Sequence, residues 1–247
     1  MIKWSLISLF SLAVVMAVIF LMPGNKDSTG RTITLPRMVE SSGGTETFPL
    51  EPEKSRQPIS KSINMKVGFT SQAPFGVWDH LHNDTCEEAS ILMAYAWVNG
   101  ITIDPLYADN ELNKLAEWQI ANFGFFESTT AAQTARLARE VYGLKVDLIN
   151  KPTLEEMKRE IVEGNLIVMG MAGRLLGNPH FKAPGPVYHM LVIKGYDETG
   201  FFTNDPGTMY GANFYYPYEI LMNAAHDWTG VEEEIYTSPA VALIISK

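Results

Sequence analysis

The sequence predicts an α+β domain in which helices from the first half of the chain pack on a mostly antiparallel sheet from the second half, preceded by an N-terminal transmembrane helix. Helical signals gather mainly before residue 165 and β-prone apolar runs follow it, so helices and strands do not alternate as they do in βαβ units. The transmembrane helix is predicted from a long apolar run near the N-terminus.

The composition is that of a globular chain with an acidic balance. Of its 247 residues, 46% are hydrophobic and 19% are charged, which excludes a collagen, a coiled coil or a wholly disordered chain. The 19 lysines and arginines are scattered and stand against 28 acidic residues, a net charge of −9, so nucleic acid is not an expected partner. The single cysteine excludes an internal disulfide and a cysteine-rich zinc site. No glycine-rich phosphate loop is present, and no cofactor is expected.

Residues 1–22 are predicted to be a signal anchor or transmembrane helix. Lys3 is the only charge before the apolar run 4–22, which as a helix would rise about 28 Å, close to the hydrocarbon thickness of a bilayer. A cleavable signal peptide is the alternative, but its apolar core is usually about 7–15 residues long and ends in small residues, whereas this run ends in large apolar ones. We therefore expect the rest of the chain on the extracytoplasmic side, tethered to the membrane, or secreted if the segment is cleaved.

Residues 23–62 are predicted to be a flexible linker, and residues 63–247 to be the folded domain. The linker contains a Ser-Ser-Gly-Gly stretch at 41–44 and a proline-containing segment at 49–58, both mixed with charges and without helical or strand periodicity. Such a segment cannot bury a core, so we expect it to hold the domain away from the membrane.

Helix-capping residues place the helices. Apolar residues at three- and four-residue spacing follow Cys86 and end at Gly100, a pattern typical of a helix with one buried stripe. Thr153 and Glu156 form a capping box, which opens a helix that ends at Gly164. The predicted helices span 86–99, about 104–122, from the 128–130 cap to 142, and 153–164, with a short one at 217–225.

Alternating or continuous apolar runs place the strands. The segment 145–149 alternates, and the later runs are apolar along their length. A turn within 194–200 would fold two of them into a hairpin. The predicted strands are 145–149, 166–171, 188–196, 201–204 and 241–246.

Cys86 is the first candidate functional residue, because it stands where a helix begins. Unpaired amide groups and the helix dipole at that position stabilise a thiolate, which attacks carbonyl carbon as a thiol does not. A small buried hydrophobic side chain is the alternative reading. The charged neighbours Glu87 and Glu88 and the polar segment 80–84 favour a position at the surface or in a cleft.

Four sequence blocks occur in an order and spacing that resemble a known family. They are Gln-Ala-Pro-Phe-Gly-Val-Trp-Asp at 72–79, Cys-Glu-Glu-Ala-Ser at 86–90, the strand-like segment 188–197, and Asn-Asp-Pro-Gly at 204–207. Together they resemble the papain-clan cysteine peptidases related to the bacteriocin-processing, double-glycine leader peptidases, in the stand-alone peptidase-like branch. The resemblance spans roughly residues 67–247 and implies a papain-like fold that hydrolyses peptide or protein substrates through a thioester intermediate.

The resemblance also implies the roles of individual residues. Cys86 would be the nucleophile, His189 the general base and acid, and Asp205 the residue that orients the imidazole. Gln72 would donate to the oxyanion hole together with the backbone amide of Cys86. Trp78 and His82 are candidates for the wall of the substrate cleft.

Several alternatives to these roles stay open at the level of sequence. Asp197 and Asn204 compete with Asp205 for the orienting role. His80, His82 and Cys86 would suit zinc, but no fourth ligand is evident, so a metal site is not the preferred interpretation.

The sequence departs from the family pattern beside the cysteine. Family members often have Gly-Pro there, whereas this chain has Glu87 and Glu88, and a carboxylate beside the sulfur opposes thiolate formation. Two other functions therefore stay open: a catalytically inactive module that binds peptide or envelope material, and an amide-transferring enzyme of the transpeptidase or transglutaminase type.

Overall fold

The computed structural model of the chain describes residues 60–247. The predicted transmembrane helix at 1–22 and most of the predicted linker at 23–62 lie outside the described residues, so both stay predictions. Within residues 60–247, no helix combines the length and apolar character that crossing a membrane requires.

The helices of the described residues begin and end close to the predicted positions, because their caps are local. Asp104 accepts the backbone N–H of Tyr107, and Thr130 forms a reciprocal capping box with Gln133. The short helix before Cys86 was not predicted. The α-helices are α1 (His80–Asn83), α2 (Cys86–Asn99), α3 (Pro105–Phe123), α4 (Ala131–Tyr142), α5 (Leu154–Val162) and α6 (Tyr218–Ala224).

The strands form one antiparallel sheet in the order β2-β7-β3-β4-β5-β6, and β1 also pairs with β4. The antiparallel sheet confirms the α+β part of the predicted fold class. Two strands, β1 and β6, were not predicted. The strands are β1 (Ile63–Asn64), β2 (Lys145–Asn150), β3 (Leu166–Ala172), β4 (Tyr188–Tyr196), β5 (Gly200–Asn204), β6 (Phe214–Pro217) and β7 (Val241–Ser246).

Helices cover both faces of this sheet, including the short helix α6, which the sequence predicts at 217–225. The side chains of α2 and α4 pack in the core on one face, and those of α5 and α6 pack in the core on the other. The reason lies in the central strands, since every residue of β3 and β4 is buried. A sheet that is apolar on both faces needs a cover on each.

The pairing of β4 decides where the site lies. His189 in β4 faces Met171 of β3 across the ladder, and Val192 faces Asn204, the last residue of β5. Asp205 therefore follows directly after the end of β5, on the side of the sheet where His189 lies. The chain reversal between β4 and β5 thus brings two distant polar residues to one end of the sheet.

Candidate active site

Cys86 is the first residue of α2 and is only 6% exposed. Its N-cap, Thr85, makes no side-chain hydrogen bond to the helix, so no side-chain cap competes for the amide groups at this end. The sulfur lies beside a carboxyl group, because the Cys86 thiol donates to Oε2 of Glu87 at 2.9 Å. The structure thus places the cysteine at a helix N-terminus, as the sequence predicts, with an acid as its hydrogen-bond partner.

A cleft of about 430 Å³ joins the helix end to the sheet. One wall comes from the start of α2 and the loop before it, and the facing wall from β4 and the loop 181–187. The sequence-predicted residues Gln72, Trp78, Cys86 and His189 all line it, together with Glu87 and Gly207. Of these, Trp78 is 41% exposed and offers an apolar surface at the cleft wall.

His189 is hydrogen-bonded to Asp205. Its Nε2 lies 2.7 Å from Oδ1 of Asp205, and both side chains are buried. Asp205 accepts further hydrogen bonds from the Gly207 amide at 3.0 Å, from Nδ2 of Asn178 at 3.0 Å and from the Tyr216 hydroxyl at 2.6 Å. Burial alone would raise the pKa of Asp205, but the charge of His189 and these hydrogen bonds outweigh it and lower the pKa.

The ring of His189 is also fixed by packing. Phe181 meets it edge to face with the ring centroids 5.3 Å apart. On another side lies Gly207, where a Cβ atom would come within 2.8 Å of Cε1 of His189, so only glycine fits against this ring. Because Asp205 occupies Nε2, Nδ1 is the ring nitrogen left for an exchange of protons in the cleft.

Gln72 is buried at the cleft wall, where an oxyanion donor would have to be. Its backbone amide donates to Pro206, and its side-chain Nε2 donates to the carbonyl of His82 at 3.0 Å. Its Oε1 has no hydrogen-bond partner among the described residues. One of the two Nε2 hydrogens is thus engaged by His82, and the other is the one that an oxyanion would use.

His82 does not line the cleft, contrary to the expectation that it helps to form the substrate-binding wall. Its Nδ1 lies 2.8 Å from Asp79 and its Nε2 lies 3.0 Å from Asp109 of α3, and the residue is only 8% exposed. Both ring nitrogens are therefore engaged by carboxylates, away from the cleft. A polar local sequence indicated exposure, but the partner that buries His82 comes from another helix.

Glu87 and Glu88 are fully buried, so of the two positions expected for this segment, the surface or a cleft, the structure shows a cleft. Glu87 accepts the Thr129 amide at 2.7 Å, and Glu88 accepts the side-chain amide of Gln119 in α3. Burial raises the pKa of both acids, and for Glu88 the charge of Glu87 raises it further. Burial and the neighbouring acids likewise raise the pKa of the Cys86 thiol well above its ordinary value.

The alternatives to Asp205 lie elsewhere. Asp197 caps the turn between β4 and β5, where it accepts the amides of Thr199 and Gly200. Asn204 bridges backbone segments, with its Nδ2 donating to Gly68 at 3.0 Å. Neither residue contacts His189 in the structure.

Sequence reasoning missed the partners that complete the site. Asn178 and Tyr216, which donate to Asp205, stand in a loop and in the unpredicted strand β6, and no local pattern marks them. Glu87 was not predicted to be buried against the sulfur. Its adjacency to a lone cysteine at a helix start was the available signal.

Comparisons with known proteins find similarity across the part of the chain that contains the candidate site. The model of the Peptidase_C39 like family matches residues 65–235, a stretch that contains every residue of the candidate site. A crystal structure of a protein from Bacillus anthracis, assigned as a C39-like peptidase, is 17% identical, and the match covers 76% of this chain and 98% of that one with a TM-score of 0.48. None of the curated proteins matches the chain.

Proposed function

The chain belongs to the Peptidase_C39 like family, and from this premise we propose that it is a membrane-tethered, extracytoplasmic cysteine peptidase that hydrolyses peptide bonds with Cys86, His189 and Asp205. The family membership gives a cysteine peptidase-like domain. The residue roles, the activity of this chain and its tether are the proposal. Support for the tether comes from the apolar run at residues 4–22.

One observation carries the proposal: a single cleft is lined both by a cysteine at a helix N-terminus and by a histidine whose far nitrogen is held by a buried aspartate. The histidine–aspartate distance of 2.7 Å is that of a strong, charge-assisted hydrogen bond. A third group that orients the base is what distinguishes a nucleophile–base pair from an accidental neighbourhood.

The reaction is acyl transfer through the sulfur. Nδ1 of His189 accepts the proton of the Cys86 thiol as Sγ attacks the carbonyl carbon of the peptide. The peptide C–N bond then breaks, and His189 delivers this proton to the leaving amine. His189 next takes a proton from water, whose oxygen attacks the thioester carbonyl, and the proton returns to sulfur as the acid product leaves. Asp205 stabilises the imidazolium in each half of the cycle.

Gln72 and the start of α2 would stabilise the oxyanion. The free hydrogen of the Gln72 side-chain amide and the backbone amide of Cys86 are donors that border the same cleft. Preorganised donors of this kind act where water is excluded and need no rearrangement during the reaction. Trp78 would contact the substrate from the exposed wall of the cleft.

A second function, peptide binding without hydrolysis, is favoured by one observation. The Cys86 thiol donates to Glu87, and the neighbouring acids raise its pKa, so the resting site holds a thiol and not a thiolate. A cleft of the same shape would then bind a peptide without reacting with it.

Hydrolysis of a labelled peptide library by the full-length protein in detergent tests the proposal. We expect cleavage that disappears in Cys86→Ala, in His189→Ala and after alkylation with iodoacetamide. Ser90→Ala is the matched control, because Ser90 lies one turn along α2 and donates to the Met190 carbonyl, away from the cleft. Activity that survives in Cys86→Ala would overturn the proposed nucleophile, and binding of peptides without cleavage would establish the second function.

Two further measurements address the finer parts of the proposal. Adding a competing amine and analysing the products separates hydrolysis from amide transfer, since only a transferring enzyme gives the amide of the added amine as its main product. Alkaline extraction of membranes from cells expressing the chain tests the tether. A tethered protein stays with the membrane pellet, whereas deletion of residues 1–22 releases it.

A further inference from the structure

The residue after the candidate nucleophile is a buried acid in direct contact with the sulfur. Oε2 of Glu87 lies 2.9 Å from Sγ of Cys86, and Glu87 is fully buried. Carboxyl groups are rarely buried in a protein without a partner that compensates them. The protonation of the Glu87 carboxyl therefore affects the protonation of the Cys86 thiol.

The carboxyl of Glu87 is clamped in place. Its second oxygen, Oε1, accepts the backbone amide of Thr129 at 2.7 Å, which ties it to the loop before α4. With one oxygen held by that loop and the side chain enclosed by protein, Glu87 remains beside the sulfur. Whatever charge it carries acts on Cys86 at contact distance.

The surrounding charges do not compensate a second anion there. The imidazole of His189 already pairs with the Asp205 carboxylate at Nε2, so it does not balance a further negative charge at the sulfur. Lys182 lies on the cleft rim and is exposed to solvent. Titratable groups around the pair come from each neighbouring element. They are Asp84 just before α2, Glu88 in α2, Tyr188 and His189 in β4, and Lys182 in the loop 181–187, with Asp205 behind His189.

We propose that Cys86 and Glu87 share one proton, so that, below the pH at which the pair loses its last proton, the reactive Cys86 thiolate forms together with a neutral Glu87 carboxyl that donates a hydrogen bond to it. A thiolate and a carboxylate in contact would place two like charges side by side in a buried site, which is strongly unfavourable. The burial that raises the pKa of Glu87 supports the neutral form. The inference deepens the proposed function and rests on it only for its catalytic consequence.

The Cys86–Glu87 pair can hold two protons or one, and each form accounts for every proton. When both groups are protonated, His189 takes the thiol proton, the S–H bond breaks and the N–H bond forms, and Glu87 keeps its own proton and donates it to the thiolate. When the pair holds one proton, that proton lies either on sulfur or on the carboxyl, and the 2.9 Å contact suits both forms. The single-proton forms interconvert without any change in net charge, so their ratio does not vary with pH.

This sharing predicts a distinctive pH profile for the alkylation of Cys86 by iodoacetamide. In the full-length protein the rate should rise to a plateau, where the thiolate is only part of the single-proton population, and rise again at higher pH when the last proton leaves. Glu87→Gln removes the acid but keeps an acceptor for Thr129 and an N–H donor for sulfur. We expect its plateau to disappear and its rate at pH 7 to increase by about tenfold or more.

Glu88→Gln is the matched control, since Glu88 is equally buried on the same helix turn and bonds to Gln119 and not to sulfur. It should keep the plateau and change the rate at pH 7 by less than about threefold. A Glu87→Gln profile that superimposes on the parent profile, or a larger change in Glu88→Gln, would overturn the inference.

Two features keep the test decisive. If circular dichroism shows that Glu87→Gln does not fold, Glu87→Asp withdraws the carboxyl from sulfur while keeping its charge, and a plateau that stays unchanged in this variant overturns the sharing. Alkylation needs no substrate, so the result stands apart from the proposed peptidase. A binding module without hydrolysis would still show the shared proton, and an active enzyme with a single-step profile would lose only this inference.

Discussion

The two sides of the cleft treat buried carboxyl groups in opposite ways. On the sheet side, Asp205 accepts hydrogen bonds from His189, Gly207, Asn178 and Tyr216, and its pKa is lowered although it is fully buried. On the helix side, Glu88 is bonded by Gln119 at one oxygen, its other oxygen has no partner among the described residues, and its pKa is raised well above the ordinary value. Burial alone therefore does not decide the charge of a buried acid, because the donors around it do.

The contrast has opposite consequences for stability as a function of pH. A lowered folded pKa, as in Asp205, contributes stability that is present above the ordinary value of 3.8 and is lost as the pH falls through the folded value. A raised folded pKa, as in Glu88, contributes stability that is complete below the ordinary value of 4.5 and is lost as the pH rises through the folded value. The sheet side thus loses stability in acid, and the helix side loses it toward neutral and alkaline pH.

Asp205→Ala tests the sheet side and should have the largest effect. It leaves His189, Asn178 and Tyr216 as buried donors without their acceptor, so we expect the free energy of unfolding to fall by about 3–5 kcal/mol, measured by urea denaturation at pH 7. Asp197→Ala removes a turn aspartate from the same hairpin and should cost clearly less. Equal losses of unfolding free energy in Asp205→Ala and Asp197→Ala would show that the buried hydrogen bonds to Asp205 add no special stability to the sheet side.

Gly207→Ala tests whether packing fixes the imidazole as the hydrogen bonds do. The new Cβ would lie within 2.8 Å of the rings of both His189 and Phe181, so His189 must move. We expect kcat to fall by about a hundredfold with a smaller change in KM, measured on a cleaved peptide. Gly68→Ala is the control, since its Cβ would meet Ile103 at an ordinary 3.8 Å. An unchanged kcat in Gly207→Ala would mean that the ring position is not critical.

Glu88→Gln tests the helix side and should stabilise the protein. The amide cannot ionise, so the variant should be more stable than the parent by about 1–3 kcal/mol at pH 8, with the difference vanishing toward pH 4, where the acid is protonated in both states. Urea denaturation across this pH range measures it. The exposed Glu117→Gln on α3 should leave the pH dependence as it is. A constant offset at every pH would contradict the role given to the Glu88 charge.

Asp109→Asn tests how the helix side positions Gln72, and it should have the smallest effect. Asp109 holds the His82 ring, and the His82 carbonyl in turn holds the side-chain amide of Gln72. We expect kcat to fall by about tenfold, less than for loss of the oxyanion donor itself. The loss should disappear in a Gln72→Ala background, because both changes act on one group. Additive losses in the double variant would show that Asp109 acts by another route.

Elements with local signals could be predicted from the sequence, and those without such signals could not. The strand β4 and the helix α2 have the predicted bounds, because continuous apolar runs and helix-ending glycines are local features of the sequence. The two-residue strand β1 exists because Ile63 meets Tyr196, a partner far along the chain. No periodicity marks so short a segment, so its formation depends on the tertiary structure.

The candidate site also has residues that local sequence signals indicate and residues that they do not. Cys86 was found from its place at a helix start, and the resemblance to a known family brought His189, Asp205 and Gln72 to it; their roles stay predictions. The burial of Glu87 and Glu88 was missed because charge normally indicates exposure. Thr129 and Gln119 bind these two acids in the interior. Their positions depend on how α3 and the loop before α4 pack against α2.

The central position of β4 has a consequence for how this protein can change. That strand is hydrogen-bonded along both edges, so its amides should exchange with solvent only when the whole domain opens. The exposed residues 182–184 belong to no strand and can vary without disturbing it. Natural variation in what the cleft admits can therefore accumulate there, whereas Asn178 and Phe181 of the same loop must keep their contacts with Asp205 and His189.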